Sequence, residues 1–302
     1  MFQLYDIHGP IDAITEETTV TVGVFDGVHR GHRELLSQMD STKLVVTLTA
    51  HPSFILGRRD SEYWLDDPEE HLRLLFEEGA KYVAVLPFTR EVAQLSACEM
   101  ARMLYDKLNM RSLLLGYDSR FGSKQNDDFD RLPQLANKLG FTLKRGEPYL
   151  VKGIPISSSR IRESLTSGVV EETAILLGRP YTITGTILHG RGVGRTLGFP
   201  TANIDLSRTR KMLPKDGVYA VIMKNEKLGI RNNGMANLGA IPTYGIEKHA
   251  LEVQLLDYNG DLYGQTVEVQ FIHRLRDVVR FNSVEALKYQ LYQDLEQIKQ
   301  WS

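Results

Sequence analysis

The feature that most constrains the fold is a change of period along the chain. From Thr19 to Lys144, short apolar runs alternate with helical patterns. The apolar runs are Val20 to Phe25, Lys43 to Thr49, Lys81 to Leu86, Ser112 to Gly116 and Phe141 to Lys144. Between them, Asp67 to Phe76 reads as a helix with Pro68 at its first position and acids in its first turn. Ser96-Ala-Cys-Glu99 is a capping box that opens a helix to about Leu108, and a further helix is predicted from about Phe129 to Leu139. Strands alternating with helices predict a parallel, doubly wound sheet, with ligands at the carboxyl ends of the strands. The ends carrying Phe25-Asp26, His51-Pro52 and Gly116-Tyr-Asp118 are expected to converge. Val169 to Leu177 reads as a short helix closed by Gly178.

After Gly178-Arg-Pro-Tyr181 the period becomes two. Tyr181 to Leu188, Gly217 to Met223, His249 to Leu256 and Thr266 to Ile272 alternate as strands separated by glycine-bearing turns. That pattern predicts a small antiparallel barrel. A last helix from about Ser283 carries Val284, Leu287, Leu291, Leu295 and Ile298 three or four apart, one stripe to pack on the barrel. The expected class is therefore α/β followed by β, with domains at 1–180 and 181–302.

Bulk properties exclude several classes. A net charge of −2 leaves no footprint for nonspecific nucleic-acid binding. The single Cys98 excludes an intrachain disulfide and a multi-cysteine zinc site. No apolar run reaches membrane-spanning length, and the first residues lack a basic region followed by an apolar core. A cytoplasmic location is expected. There is no Gly-x-x-x-x-Gly-Lys-Ser/Thr loop, and no Gly-x-Gly-x-x-Gly follows the first strand.

Four stretches can carry chemistry. In Gly23-Val-Phe-Asp-Gly-Val-His-Arg-Gly-His32, glycines permit close backbone approach and a helix begins near Gly31. Helix N-termini suit phosphate, and His29 and His32, three apart, can offset charge on a transferring phosphoryl group. Two surface histidines in a turn satisfy the same letters. Ile156-Ser-Ser-Ser-Arg-Ile-Arg162 offers hydroxyl donors and fork-shaped cations, or simply a capped surface helix. His189 to Asn203 interleaves Gly190, Gly192 and Gly194 with Arg191 and Arg195, a cationic flap whose N–H groups can wrap phosphates, or a surface loop with a Phe-Pro turn. Glu252 points away from Leu251, Val253 and Leu255, as a base or as a solvated strand residue.

These motifs together resemble the bacterial bifunctional riboflavin kinase/FMN adenylyltransferase (FAD synthetase) family, in the family's order and over nearly the whole chain. The His-x-Gly-His and Ser-Ser-Ser-Arg-Ile-Arg elements resemble the hallmarks of the Rossmann-like nucleotidyltransferase superfamily, where they bracket a triphosphate. The resemblance implies catalysis by His29 and His32, and nucleotide or flavin binding by Gly23, Phe25, Asp26, Gly27, Gly31, Asp118, Ser158, Ser159 and Arg162. Gly116-Tyr-Asp-Ser-Arg-Phe-Gly122 matches a further motif, with Ser119 for the usual Phe and Gln125-Asn-Asp127 where a basic residue and Gly-Asp are expected.

In the second half, Gly198-Phe-Pro-Thr-Ala-Asn203 is a specific match to the riboflavin kinase motif. It implies that Thr201 and Asn203 hold Mg²⁺ with ATP, and that Glu252 is the catalytic base. Gly190, Arg191, Gly194, Arg195, Pro200 and Arg276 are the implied binding residues. Gln254 stands for the family's common His, and Asn237-Leu-Gly-Ala-Ile-Pro-Thr243 carries Ile241 for a basic residue. The implied function is phosphorylation of riboflavin to FMN, then adenylylation of FMN to FAD, with ATP, riboflavin and FMN as partners. A monofunctional kinase and a non-catalytic flavin- or nucleotide-binding regulator are the rival readings. The oligomeric state is not legible.

Overall fold

The computed structural model describes residues 3–6, 14–48, 63–119, 121–123, 128–190, 194, 198–241, 248–258 and 260–300. The chain divides into two compact units, Met1–Ser158 and Ser159–Ser302.

The first unit contains β1 (Gln3–Asp6), β2 (Thr18–Gly23), α1 (Arg30–Ser37), β3 (Thr42–Leu48), α2 (Pro68–Glu77) and β4 (Tyr82–Leu86). It continues with α3 (Ala97–Leu108), β5 (Met110–Leu115), α4 (Leu132–Leu139), β6 (Thr142–Arg145) and a small hairpin of β7 (Leu150–Val151) and β8 (Ile154–Pro155). Six strands form one sheet in the order β1-β4-β3-β2-β5-β6. Every pairing in it is parallel. The period-two rule is visible in the core. Leu44, Val46, Ala84, Leu86, Leu113 and Leu115 face a cluster shared with Leu104, Leu108 and Ala136 of α3 and α4. Val45, Val83 and Leu114 face the opposite cluster, with Leu35, Leu36, Leu74 and Leu75 of α1 and α2. Leucine-rich faces on both sides leave no solvated sheet face, as parallel sheets require. The capping box is formed, with Glu99 N–H on Ser96 Oγ at 3.2 Å and Ser96 N–H on Glu99 Oε2 at 2.8 Å. β1, paired in parallel with β4, lies ahead of the alternating pattern that predicts the other strands.

From β2 the chain runs to β3 and β4 on one side, then returns to β5 beside β2 and moves on to β6. Connections therefore leave β2 and β5 in opposite directions. That is a topological switch point, where such sheets open a crevice at their carboxyl ends.

The second unit contains α5 (Ser158–Ser167, its first residue belonging to the first unit), α6 (Val170–Leu177), β9 (Tyr181–Leu188), β10 (Ala202–Ile204) and β11 (Gly217–Asn225). β12 (Ile230–Ile241), β13 (Lys248–Leu255), β14 (Thr266–Arg276) and α7 (Val284–Lys299) follow. The six strands close into a barrel in the order β10-β13-β12-β11-β14-β9. Helices α5 and α6 go with the barrel rather than with the sheet. Ser164 and Thr173 share a hydroxyl–hydroxyl bond of 2.7 Å, Lys215 N–H donates to Leu165 O at 2.9 Å, and Arg274 N–H donates to Glu171 at 3.3 Å. Gly178 takes φ 77 at the end of α6, as a glycine stop requires.

Sequence patterning found four of the six staves and missed β10 and β12. β10 is three residues long, and β12 reads Ile-Arg-Asn-Asn-Gly-Met-Ala-Asn-Leu-Gly-Ala-Ile, whose inward face carries Asn232, Gly234 and Ala236 while Met235 faces outward, so apolar and polar residues do not alternate. Inward residues Tyr181, Ile183, Tyr219, Val253, Val269 and Phe271 fill the barrel. On its outside, Val218, Ala220 and Met235 pack under Ile298, Leu291 and Leu295 of α7. The predicted stripe on that helix is thus in contact at its later members, whereas Val284 is exposed.

Candidate functional sites

The first site sits at the switch point. Beyond Gly23, the chain turns sharply, with Phe25 at φ 51, Gly27 at φ 84 and Val28 at φ 34. Two non-glycine residues in the left-handed region are costly, on the order of 1–3 kcal/mol each, and persist only where the surroundings hold them. Here Phe25 and Val28 are buried in the core under α1. Val28 N–H closes the turn on Phe25 O at 2.8 Å. A Cβ at Gly23 would stand 3.1 Å from the Phe25 ring, tighter than ordinary contact, so the glycine gives that ring its room.

Polar groups fix the same turn. Asp26 is buried and accepts from Leu65 N–H at 2.8 Å. Gly27 N–H donates to Asp66 Oδ1 at 3.0 Å. The other oxygen of Asp66 pairs with His71 Nδ1 at 3.1 Å, and His71 Nε2 meets Thr47 Oγ1 at 2.9 Å. Ser158 Oγ donates to Asp26 O at 3.0 Å, which ties the serine run to the turn. Asp66, His71 and Thr47 were invisible to motif reading: they are ordinary letters in a strand, a loop and a helix, united only by folding.

The helix begins at Arg30, one residue before the predicted start near Gly31, so His29 stands just ahead of it. This histidine is the N-cap of α1, and its Nδ1 accepts from His32 N–H at 3.2 Å. With Nδ1 occupied as acceptor, the proton of the neutral ring lies on Nε2, leaving a donor on the far side. The two imidazoles stack, centroids 3.5 Å apart and 16° from parallel, and Phe25 meets His32 edge-on at 5.2 Å. A Cβ at Gly31 would press on the His29 ring at 3.2 Å, so that glycine makes room for the stack. Burial first, then the nearby His29 and His71, holds the His32 pKa well below its ordinary value. Its Nδ1 is shielded and has no hydrogen-bond partner among the described residues.

Asp118 is exposed on the turn after β5, which Ser119 N–H closes on Gly116 O at 3.1 Å. Burial and the nearby Asp118 push the Tyr117 phenol up. Gly122, φ +86, lies against the start of α3, where a Cβ would come within 2.4 Å of Ala97 N. His51, Pro52, Gln125 and Asp127 lie outside the described residues. Ser159 and Arg162 belong to α5 in the second unit, Ser159 exposed and Arg162 half-buried. Arg160 is engaged with Glu172 at 2.8 Å.

The second site lies on the outer face of the barrel. Strand register sets Asn203 of β10 opposite Glu252 of β13, and Glu252 opposite Asn237 of β12. Residues directly opposite in antiparallel strands have Cβ atoms about 4.5–5.5 Å apart. Asn203, Glu252 and Asn237 therefore form one transverse row, with Thr201 two residues before Asn203 on the same side. The glycines of the flap have a steric reason. A Cβ at Gly190 would fall 2.0 Å from Asn203 Nδ2, and one at Gly194 would fall 2.3 Å from Phe199 O. Phe199 N–H donates to Gly194 O at 2.8 Å, and Phe199 meets Tyr292 of α7 edge-on at 5.1 Å. Pro200 is exposed between Phe199 and Thr201. Arg191 and Arg195 lie outside the described residues.

Arg276 is turned inward. Its Nε donates to Asp294 Oδ1 and Oδ2 at 3.0 Å each, its Nη2 to Oδ2 at 2.7 Å and its Nη1 to Asp277 O at 3.2 Å. That fork clamps α7 to the barrel. Thr201 and Asn203 offer hard, neutral oxygens beside the Glu252 carboxylate. Such a set fits a magnesium ion that arrives with a triphosphate better than a soft or multiply charged site. Among the described residues, no group of three or more His, Cys, Asp or Glu side chains could hold a metal.

Comparison with known proteins matches both halves. The FAD synthetase family model covers residues 11–160 and the riboflavin kinase model covers residues 177–302. Bifunctional riboflavin kinase/FMN adenylyltransferases of Haemophilus influenzae and Escherichia coli K12 are each 36% identical over 299 residues, spanning 95% of this chain and 94% of theirs. A crystal structure of a Streptococcus pneumoniae protein described as a macrolide-efflux protein superposes with a TM-score of 0.88 at 31% identity, covering 100% of this chain and 99% of that one. Among the described residues, no helix here is long and apolar enough to cross a membrane. The chain belongs to the bifunctional riboflavin kinase/FMN adenylyltransferase family, and its enzymatic activities are phosphorylation of riboflavin and adenylylation of FMN.

Proposed function

We propose that residues 181–302 phosphorylate riboflavin at the Glu252 row and that residues 1–180 adenylylate FMN at the His29–His32 stack. The observation that carries the first assignment is the transverse row of Asn203, Glu252 and Asn237, which sets a carboxylate directly beside neutral oxygen donors. Glu252 takes the proton of the terminal flavin hydroxyl as that oxygen bonds to the γ-phosphorus and ADP leaves. Thr201 and Asn203 would hold Mg²⁺ with ATP, and the bound ion would offset phosphate charge. Arg276 acts as a positioning residue through Asp294. Glycines 190 and 194 let the flap lie close to Asn203 and Phe199.

For adenylylation, a phosphate oxygen of FMN attacks the α-phosphorus of ATP and pyrophosphate leaves. No covalent enzyme intermediate is needed, so positioning and charge offset carry the rate. His29 donates from Nε2, and His32, uncharged in the free protein, offers the other imidazole. Gly23, Phe25, Asp26, Gly27 and Gly31 shape the turn, and Asp118, Ser158, Ser159 and Arg162 bind nucleotide or flavin. Dependence on ATP and the single free Cys98 support a cytoplasmic setting.

The test separates the halves. Purified protein is incubated with riboflavin, ATP and Mg²⁺, and flavins are resolved over time. Glu252→Gln is expected to abolish FMN formation while added FMN is still converted to FAD. His29→Ala is expected to give the reverse. Equal loss of both activities in either variant would refute two separate sites.

A further inference from the structure

Gln254 is a residue the two reactions leave unused. It lies two positions after Glu252 in β13, so both side chains leave the same outer face, about 7 Å apart along the strand. Its Oε1 is shielded from solvent and has no hydrogen-bond partner among the described residues. Native chains rarely leave a buried acceptor orphaned, and each instance calls for an explanation.

The surroundings explain the shielding. Gln254 is paired in register with Met235, which packs under α7 together with Leu256, the next residue on the same face of this strand. It thus stands at the border where the apolar strip under α7 gives way to the polar row. On its other side, the register of Ala202 with Val253 and Asn203 with Glu252, continued by one step, brings Thr201 opposite. An orphan acceptor at the edge of the polar row is suited to a donor brought by a ligand. Phosphate oxygens at neutral pH only accept. A sugar-alcohol chain donates from every carbon that bears a hydroxyl.

We propose that Gln254 is a further substrate-binding residue, whose Oε1 accepts a hydrogen bond from a hydroxyl of the flavin's polyol side chain, inward of the one that Glu252 deprotonates. This rests on the reading of the Glu252 row as the phosphorylation site. It makes Gln254 a determinant for a hydroxylated flavin side chain rather than for the nucleotide.

The test uses the full chain with Gln254→Leu, of similar volume, and Gln254→Ala as a second variant. Riboflavin binding without nucleotide is followed by quenching of flavin fluorescence, alongside steady-state phosphorylation, FMN adenylylation and thermal unfolding. The expected result is riboflavin affinity and riboflavin KM both weakened about tenfold, the loss expected when one neutral hydrogen bond to a ligand is removed. The KM for MgATP and the conversion of FMN to FAD are expected to stay within twofold. The free Gln254→Leu protein should melt no lower than the wild type. A rise in the KM for MgATP instead would move Gln254 to the nucleotide and overturn the proposal. Unchanged riboflavin binding in both variants would also overturn it, as would a lower melting temperature in Gln254→Leu, which would reveal a partner in the free protein. Wild-type protein that binds riboflavin but forms no FMN would instead remove the underlying reading of the row, separately from the Gln254 contact.

Discussion

Gly190→Ala is the sharpest test of the kinase site because it adds one methyl group and removes no functional group. The new Cβ would stand 2.0 Å from Asn203 Nδ2, 2.7 Å from its Cγ and 3.0 Å from its Oδ1. Ordinary contact begins near 3.4 Å, so the Asn203 amide has to retreat by about 1.4 Å or rotate away. Gly190 lacks the left-handed backbone that would make any side chain strained, so the clash itself is the perturbation. Misplacing a positioning group by about 1 Å can cost on the order of 10²-fold in rate. The expected outcome is a fall of about 10²-fold in kcat/KM for riboflavin phosphorylation, with FMN adenylylation unchanged. The two reactions are assayed separately, starting from riboflavin and from FMN, with circular dichroism confirming the fold. A variant that phosphorylates riboflavin at the wild-type rate would refute the placement of Asn203 in the metal–nucleotide site.

Two further outcomes follow from burial. Asp294 is 1% exposed and accepts from Arg276 and Gln290. Asp294→Ala leaves the guanidinium uncompensated and is expected to destabilise the barrel unit by about 3–5 kcal/mol in denaturant titration; a loss below about 1 kcal/mol would mean that the pair is dispensable. The depressed pKa of His32 means that the unfolded chain takes up a proton near its ordinary value of about 6.5 while the folded one resists. Stability of the first unit should therefore be full above pH 6.5 and decline as pH falls below it, and His32→Leu should flatten that decline. An unchanged slope in calorimetric melts would place the acid sensitivity elsewhere.

The alternation of strands and helices, the barrel and the final helix were all legible because periods of two and about 3.6 survive in the apolar residues. So were Gly178 and the Ser96 capping box, whose signals are local. β10 and β12 were not, since one is too short to show a period and the other turns Asn232, Gly234 and Ala236 inward and Met235 outward. The candidate residues His29, Asn203 and Glu252 could be picked from motifs. Their relations could not: that His29 caps α1, that Asn237 completes the Glu252 row, and that Arg276 is spent on Asp294 depend on register and long-range packing. Asp66 and His71, five residues apart in sequence, show the same limit, because Gly27 and Thr47, which engage them, come from two other segments.

The closing stave of the barrel has a kinetic meaning. β10 is three residues long and joins β9 to β13, so the ring of strands is complete only when it docks. Its partner β13 lies about 50 residues further along the chain, so the intervening loop must close before the pairing is rewarded. Asn203 sits in the middle of that stave and meets Glu252 only across the seam. A refolding molecule thus has no phosphorylating centre until the seam zips, however much of the barrel has already formed, and recovery of FMN synthesis becomes a clock for ring closure.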